Sequence, residues 1–175
     1  MPKLSRRGLP AVAGAAIAFA ILLPSTATAA STRAEYIAQV DPICTSYAAP
    51  LGNAFKAYHK NFKALNHNAK SGTFKAFLRS LRRTASSLVT IGGLHANMIN
   101  QIAAVPPAPG DEGTITSWLN ALRLEQSSEV GAASALRRGK FGQFFNKLDQ
   151  ADGAVNAADN AIRGFGFTAC GVTVT

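Results

Sequence analysis

The chain has 175 residues, with 18 Lys and Arg against 9 Asp and Glu, and a formal net charge of +9. This length suits a single domain and excludes an array of several domains. Its two cysteines, Cys44 and Cys170, allow no more than one intrachain disulfide.

The first 29 residues have the layout of a secretory signal peptide. Lys3, Arg6 and Arg7 precede an apolar run over 11–23, and Ala27 and Ala29 supply an A-x-A cleavage site. The run is too short to cross a membrane, which takes about 20 residues. We therefore expect an exported, extracytoplasmic protein with no transmembrane helix in its mature form, residues 30–175 being one domain. The arginine pair resembles a twin-arginine signal, but Pro10 departs from that pattern and favours the general secretory route.

The first predicted helix begins at a capping box formed by Thr32 and Glu35. Pro42 and Pro50 lie inside it, and because each removes a backbone donor we expect kinks. We prefer one long bent helix; the alternative is a short leading helix before an N-cap at Asp41. The apolar residues that recur every three or four positions are Ile37, Val40, Cys44, Tyr47, Leu51, Phe55, Tyr58, Phe62 and Leu65.

Two more helices follow in the middle of the chain. Ser71 or Thr73 caps the second, and Gly92 with Gly93 marks a point where it can bend. The third follows the stretch AVPPAPGDEG and ends at Gly139. The apolar series of the second helix is Phe74, Phe77, Leu81, Ala85, Leu88, Met98 and Ile102. That of the third is Ile115, Trp118, Leu119, Leu122, Ala132, Ala135 and Leu136.

The last predicted helix ends where Gly164 can take a left-handed conformation. Its apolar residues are Phe141, Phe144, Phe145, Leu148, Val155, Ala158 and Ile162, and only the end GVTVT has β character. Four amphipathic helices with short loops predict an all-α fold, an up-down-up-down four-helix bundle. In that topology the fourth helix ends beside the start of the first, so we expect one disulfide between Cys44 and Cys170. The alternative is two free buried thiols.

Three stretches carry a resemblance: AEYIAQVDPIC near the mature start, AVPPAPGDEGTITSWLNAL in the middle and GFGFTACG at the end. In these the chain resembles a group of small secreted or lipid-anchored helical proteins of unknown function from high-GC bacteria. The resemblance implies pairing of Cys44 with Cys170 and implies no catalytic residue. Many members look like lipoproteins, whereas this chain has no cysteine at its cleavage site for a lipid.

The sequence predicts no catalytic, cofactor-binding or metal-binding residue, because no HExxH, ExxH, CxxC, GxSxG or phosphate-binding loop occurs in the mature chain. No two histidines have i, i+4 spacing, so we interpret them as solvated or singly hydrogen-bonded. Three ionisable residues converging in a deep pocket would favour an enzyme, and a dry apolar interior would exclude one. The histidines are His59, His67 and His95. We interpret Asp149, Asp152 and Asp159 as surface acids, the alternative being a cation site. We interpret Trp118, Phe141, Phe144 and Phe145 as core residues, the alternative being the lining of a ligand pocket.

The uneven distribution of basic and acidic residues is the most informative feature of the sequence. Without the signal peptide, fifteen basic residues face nine acids, a net charge of +6, and no acid occurs over 42–110. Helical spacing places basic residues on common faces that the predicted bundle gathers at the end opposite the disulfide. The predicted anion-binding residues are Lys56, Lys60, Lys63, Lys70, Lys75, Arg79, Arg82, Arg83, Arg137, Arg138, Lys140 and Lys147.

These observations predict a non-catalytic binding or structural component of the cell envelope. One alternative is a carrier of a small apolar ligand. Another is an electrostatic binder of an anionic envelope polymer or of lipid headgroups at a membrane surface. A nucleic-acid partner is disfavoured, because export removes the protein from nucleic acid and no recognition motif accompanies the charge. An ordinary solvated face is the remaining interpretation of the charge.

Overall fold

A computed structural model describes residues 32–171, which form four α-helices. Helix α1 spans Arg33–Ser71, α2 Phe74–Ala103, α3 Glu112–Arg137 and α4 Phe141–Ile162. Each helix packs against the next one in the chain, so the fold is the predicted up-down-up-down four-helix bundle. The predicted signal peptide and the last four residues of GVTVT lie outside the described range. Within 32–171, no helix combines the length and the apolar character needed to cross a membrane.

The helix ends follow the predicted local signals. Thr32 and Glu35 form the capping box of α1, with the Thr32 hydroxyl accepting from the Glu35 amide at 3.2 Å. Thr73, rather than Ser71, caps α2 by accepting from the Ala76 amide at 3.2 Å. Gly139 and Gly164 follow α3 and α4 at φ angles of 68° and 77°, a region that only glycine occupies at low cost.

Helix α1 continues without a break through Pro42 and Pro50. The alternative of a separate leading helix is therefore wrong, and Asp41 does not act as an N-cap. Its carboxylate instead accepts hydrogen bonds from the segment after α4, at the amides of Ala169 and Cys170. Hydroxyl groups nearby donate to backbone carbonyls of the same stretch, Thr45 to Asp41 and Ser46 to Ile43, at 2.9 and 2.7 Å. Helix α2 is likewise continuous through Gly92 and Gly93.

Most of the predicted apolar series forms the core, but three phenylalanines do not. Phe74 is 75% exposed, Phe141 40% and Phe145 49%. All three lie at or within one turn of the start of α2 or α4, where no further helix turn covers them. The core prediction is wrong at these positions, because helical spacing identifies a face and does not show where along the bundle the packing ends.

The edge between α1 and α4 is the open side of the bundle. No Cα atom of one helix comes within 8 Å of a Cα atom of the other, whereas every consecutive pair packs more closely. Side chains bridge this edge, with the rings of Phe62 and Phe144 6.0 Å apart. The predicted disulfide is present, joining Cys44 of α1 to Cys170 of the chain end with 5.3 Å between their Cα atoms. Such a bond is compatible with an extracytoplasmic location.

Candidate functional site

All twelve of the predicted anion-binding residues have exposed side chains. Nine lie on helix segments toward the α1–α2 and α3–α4 turns, and Arg138 and Lys140 lie in the second of these turns; an up-down-up-down bundle places both turns at one end. We call these eleven residues the basic pole. Lys56 is the exception, because it lies about 22 Å along the axis from the end of α1, near the middle of that helix. The basic pole comprises Lys60, Lys63, Lys70, Lys75, Arg79, Arg82, Arg83, Arg137, Arg138, Lys140 and Lys147.

The residues of the basic pole make no ion pair with an acid within the described range, and Asp149, at the edge of the pole, is the acid that shares a recess with Arg138 and Lys147. Neither 42–110 nor 130–148 contains an Asp or Glu. Within the described range, the ion pairs join Arg33 to Asp111 and His95 to Glu125 and Glu129, and none of them involves the pole. Like charges crowded on one end repel one another, so the arrangement is relieved when an anion or a polyanion binds there.

An aromatic groove opens at this same end of the bundle. It has a volume of about 540 Å³ and lies between the end of α1 and the starts of α2 and α4. The rings of Phe77 and Phe141 lie 6.2 Å apart across it. The exposed residues Phe74, Phe141 and Phe145 also line the groove, so apolar surface and positive charge share one end of the molecule.

Phe74 links the groove to the cations. It also lines a neighbouring recess of about 420 Å³, whose other walls are Leu78 and four basic residues of the pole: Lys75, Arg79, Arg82 and Arg83. A large, 75% exposed ring among cationic side chains is unusual for a soluble surface, since contiguous exposed apolar patches tend to mark interaction sites.

The alternative in which Trp118 lines one pocket with Phe141, Phe144 and Phe145 is wrong, although the three phenylalanines do line the aromatic groove. The indole of Trp118 lies at the other end of the bundle, 5.1 Å from the ring of Phe167 in the segment after α4. The sequence could not separate these aromatics, because all of them fit the apolar face of a helix. Their positions along the bundle decide which of them meet.

A second cluster lies inside the bundle and was not predicted. His95 of α2 meets Glu125 and Glu129 of α3, and all three side chains are buried. The Nδ1 atom of His95 lies 2.9 Å from Oε2 of Glu129 and 3.8 Å from Oε1 of Glu125. The other two histidines, His59 and His67, have exposed side chains, as expected for solvated histidines.

The three groups perturb one another. Burial raises the pKa of Glu125 to about 7, with the positive charge of protonated His95 opposing this shift and the negative charge of Glu129 adding to it. Burial also raises the pKa of Glu129, against the hydrogen bond from His95. Burial alone would lower the pKa of His95, but the hydrogen bond to Glu129 and the charges of both carboxylates raise it. The cluster is thus able to exchange a proton near neutral pH or to hold a cation.

A cavity of about 210 Å³ adjoins this cluster, with walls from all four helices and from the segment after α4. His95 and Glu125 line it on the α2 and α3 side, where the lining residues are buried. On the α1 and α4 side, Phe55 and Asp159 are partly exposed. The cavity therefore opens toward solvent between α1 and α4.

One sequence signal could have revealed the cluster. The apolar series of α3 passes from Leu122 to Ala132, and Glu125 and Glu129, at i, i+4 spacing, fill two of the three buried positions between them, Ser128 being the third. His95 similarly stands among core residues of α2. A charged residue in the core face of a helix needs a partner, but the sequence does not show which helix supplies it.

Comparison with known proteins adds no assignment: no protein-family model matches the chain, and no curated protein or solved structure is significantly similar to it.

Proposed function

We propose that this protein is a non-catalytic binding component of the cell envelope that attaches to an anionic lipid surface through its basic pole. His95, Glu125 and Glu129 do converge inside the bundle, but the adjoining cavity of about 210 Å³ is smaller than the roughly 300 Å³ of a small-molecule pocket, which argues against an enzyme active site. One observation carries the proposal: the exposed ring of Phe74 stands among four cationic side chains that make no ion pair within the described range, beside the groove lined by Phe141 and Phe145. The signal-peptide pattern of residues 1–29 and the disulfide support an envelope location.

The aromatic groove favours a lipid surface over a soluble polyanion. Lys and Arg attract anionic headgroups, each contributing about 1 kcal/mol near the surface. Phenylalanine gains by burying its ring at the boundary between headgroups and acyl chains, whereas a hydrated polymer offers no such environment. Phe74, Phe141 and Phe145 supply rings that the core does not use. The helices need not open for this contact.

The alternative of an apolar-ligand carrier has less support. The interior cavity is about 210 Å³, below the roughly 300 Å³ at which small-molecule pockets begin, and the polar groups of His95 and Glu125 line it. The larger aromatic groove is bordered by solvent at its exposed phenylalanines. Because it is open to solvent, the groove is better suited to contact with a lipid surface than to enclosing a small apolar ligand.

Vesicle binding tests the proposal directly. The mature, oxidised protein is mixed with phosphatidylcholine vesicles that contain roughly one-third phosphatidylglycerol, or none, and the bound fraction is measured by sedimentation. Binding is expected only to the anionic vesicles, and to weaken steeply between about 50 and 300 mM salt. Reversing Arg79 and Arg82 to Glu is expected to weaken it by at least roughly 30-fold, since two favourable charges are lost.

Two matched controls sharpen the test. Arg123→Glu with Arg163→Glu makes the same change in net charge away from the pole and is expected to leave binding close to wild type. Phe74→Ser with Phe145→Ser is expected to weaken vesicle binding by about tenfold while sparing retention on a soluble polyphosphate.

Leu124→Ser with Val89→Ser, which alters exposed apolar residues elsewhere, is the control for the phenylalanine pair. Equal loss from both charge pairs, or no binding by the wild type at about 50 mM salt, would show that the pole is an ordinary solvated end. Unchanged vesicle binding by the phenylalanine variant would show that the exposed rings do not contribute, and would favour a soluble anionic polymer as the ligand of the basic pole.

A further inference from the structure

We propose that His95, Glu125 and Glu129 form a binding site for one divalent transition-metal ion inside the bundle. The three side chains come from two helices and present one imidazole nitrogen and two carboxylates toward a common point. Their ligand atoms all lie within 4.8 Å of one another. This site is independent of the basic pole.

The distances fit a small cation. Zinc bonds of about 2.0 to 2.1 Å in tetrahedral geometry separate neighbouring ligand atoms by about 3.4 Å. The two separations from Nδ1 of His95, 2.9 Å to Glu129 and 3.8 Å to Glu125, lie on either side of that value. The ligand atoms of Glu125 and Glu129 also lie within 4.8 Å of each other, so all three separations are of the size that one central ion can span.

The state of Glu125 is a second observation that points to a ligand. This residue is only 9% exposed, yet within the described range no protein group donates a hydrogen bond to its carboxylate, and the imidazole of His95 lies 3.8 Å away, so its free lone pairs face the cavity. A buried carboxylate normally has its lone pairs satisfied, because leaving it unpaired costs free energy. It lines the 210 Å³ cavity, so an ion bound there would gain this carboxylate and keep room for water in an open coordination position.

Charge favours a divalent cation. Two carboxyl groups face one imidazole, and Asp159 of α4 lines the same cavity, so acidic groups outnumber the base around the site. No Lys or Arg lines the cavity. A bound dication would stabilise the ionised form of both glutamates, which burial otherwise disfavours.

The combination of one imidazole with two carboxylates indicates which metal ions the site would bind. Imidazole with two carboxylates suits Zn²⁺, Mn²⁺ or Fe²⁺, whereas Ca²⁺ takes six or more oxygen ligands and rarely uses imidazole. Zn²⁺ is the appropriate first probe and Ca²⁺ the comparison. The opening between α1 and α4 provides the entry path.

Titration calorimetry of the chelator-stripped, oxidised protein with Zn²⁺ tests the site. We expect one ion per chain, no comparable binding of Ca²⁺, and a release of protons seen as a dependence of the heat on the buffer. Glu125→Gln and His95→Gln are each expected to weaken Zn²⁺ binding by at least about tenfold. Co²⁺ provides a spectroscopic check, since its visible absorption intensifies when it enters a low-coordinate protein site.

Controls separate the interior site from adventitious binding at the surface. His59→Gln with His67→Gln removes the two exposed histidines, and Asp149→Asn with Asp152→Asn removes two exposed acids of α4. Both double variants are expected to keep the affinity and the stoichiometry of the wild type. Helix content measured by circular dichroism confirms that each variant is folded, and Glu125→Gln keeps the shape of the original side chain.

Two results would overturn the proposal. One is the absence of stoichiometric Zn²⁺ binding to the folded wild-type protein. The other is binding that survives Glu125→Gln and His95→Gln but disappears when His59 and His67 are replaced. Neither result bears on vesicle binding through the basic pole, which is measured in the presence of chelator.

Discussion

At the scale of single residues, Asp41 fixes the end of the chain against α1. Its Oδ2 atom accepts hydrogen bonds from the amide and the hydroxyl of Thr168, at 2.9 and 2.7 Å. Its Oδ1 atom accepts from the amides of Ala169 and Cys170, at 3.1 and 3.3 Å. Burial alone would raise the pKa of Asp41, but these hydrogen bonds lower it below its ordinary value. One carboxylate thus orders the segment that carries the disulfide.

Replacing Asp41 with Asn is expected to lower the free energy of unfolding by about 1 to 2 kcal/mol at pH 6, because the amide group keeps only one acceptor oxygen and has no charge. The partial exposure of Asp41 keeps the effect modest. Since the folded-state pKa is lowered, the contribution is present above the unfolded-state pKa and is lost as pH falls through the folded-state value.

Chemical denaturation at pH 6 and at about pH 2.5 tests this expectation. The difference between wild type and Asp41→Asn should shrink at the lower pH, and amide exchange of residues 168–170 should be faster in the variant at pH 6. Asp149→Asn, an exposed change on α4, is the control. Equal amide exchange in wild type and variant would show that Asp41 does not hold this segment.

At the scale of helices, α2 and α3 approach closely at Gly92. A Cβ atom added there would lie 2.8 Å from Cγ2 of Val130, a separation too short for two carbon atoms. Gly93, the next residue, has no atom within 4 Å of the same added position. The pair that the sequence identifies as a bending point therefore contains one glycine required by packing and one that is not. The close approach also brings α3 near enough for Glu129 to reach His95.

Gly92→Ala is expected to destabilise the protein by about 1 to 3 kcal/mol, because Val130 or the helix backbone has to move. Gly93→Ala is expected to stabilise it by about 0.5 to 1 kcal/mol through the higher helix propensity of alanine. Thermal or urea unfolding of the two variants measures both effects. Similar shifts in the same direction would contradict the packing assigned to Gly92.

At the scale of the whole molecule, the bundle is closed on three sides by helix packing and on the fourth by other contacts. The edge between α1 and α4 depends on aromatic side chains, on the Cys44–Cys170 disulfide and on the segment after α4. That segment packs Phe165 and Phe167 on Tyr36, with 6.2 Å between ring centres in each case. The guanidinium of Arg33 lies 4.6 Å above the ring of Phe165. The disulfide therefore reinforces the edge with the weakest backbone packing.

Removing the disulfide by Cys44→Ser with Cys170→Ser is expected to lower the free energy of unfolding by about 2 to 5 kcal/mol. The bond spans 126 residues, so its loss frees nearly all of the folded chain in the unfolded state. Helix content should change little, since capping and apolar packing form the helices. Urea unfolding with circular dichroism measures both quantities, and an unchanged midpoint would show that the bond adds no stability.

The local features of the fold could be predicted because they depend on near neighbours in the chain. The capping box of Thr32 and Glu35, the N-cap at Thr73 and the apolar repeat of each helix need only residues three or four positions apart. The disulfide followed from topology, since an even number of alternating helices brings Cys44 and Cys170 to one end. The basic segments were predictable for the same reason, apart from the mid-helix position of Lys56.

The sequence by itself determined four amphipathic helices, their alternating order and an uneven distribution of charge, because helix periodicity and connection length are local properties. Only the tertiary structure decided that His95 meets Glu125 and Glu129, that Asp41 binds the end of the chain, and that Phe74 stays exposed beside the cations. Each of these depends on how two helices are rotated and shifted against each other. That choice is set by side-chain packing between distant segments, such as the close contact at Gly92.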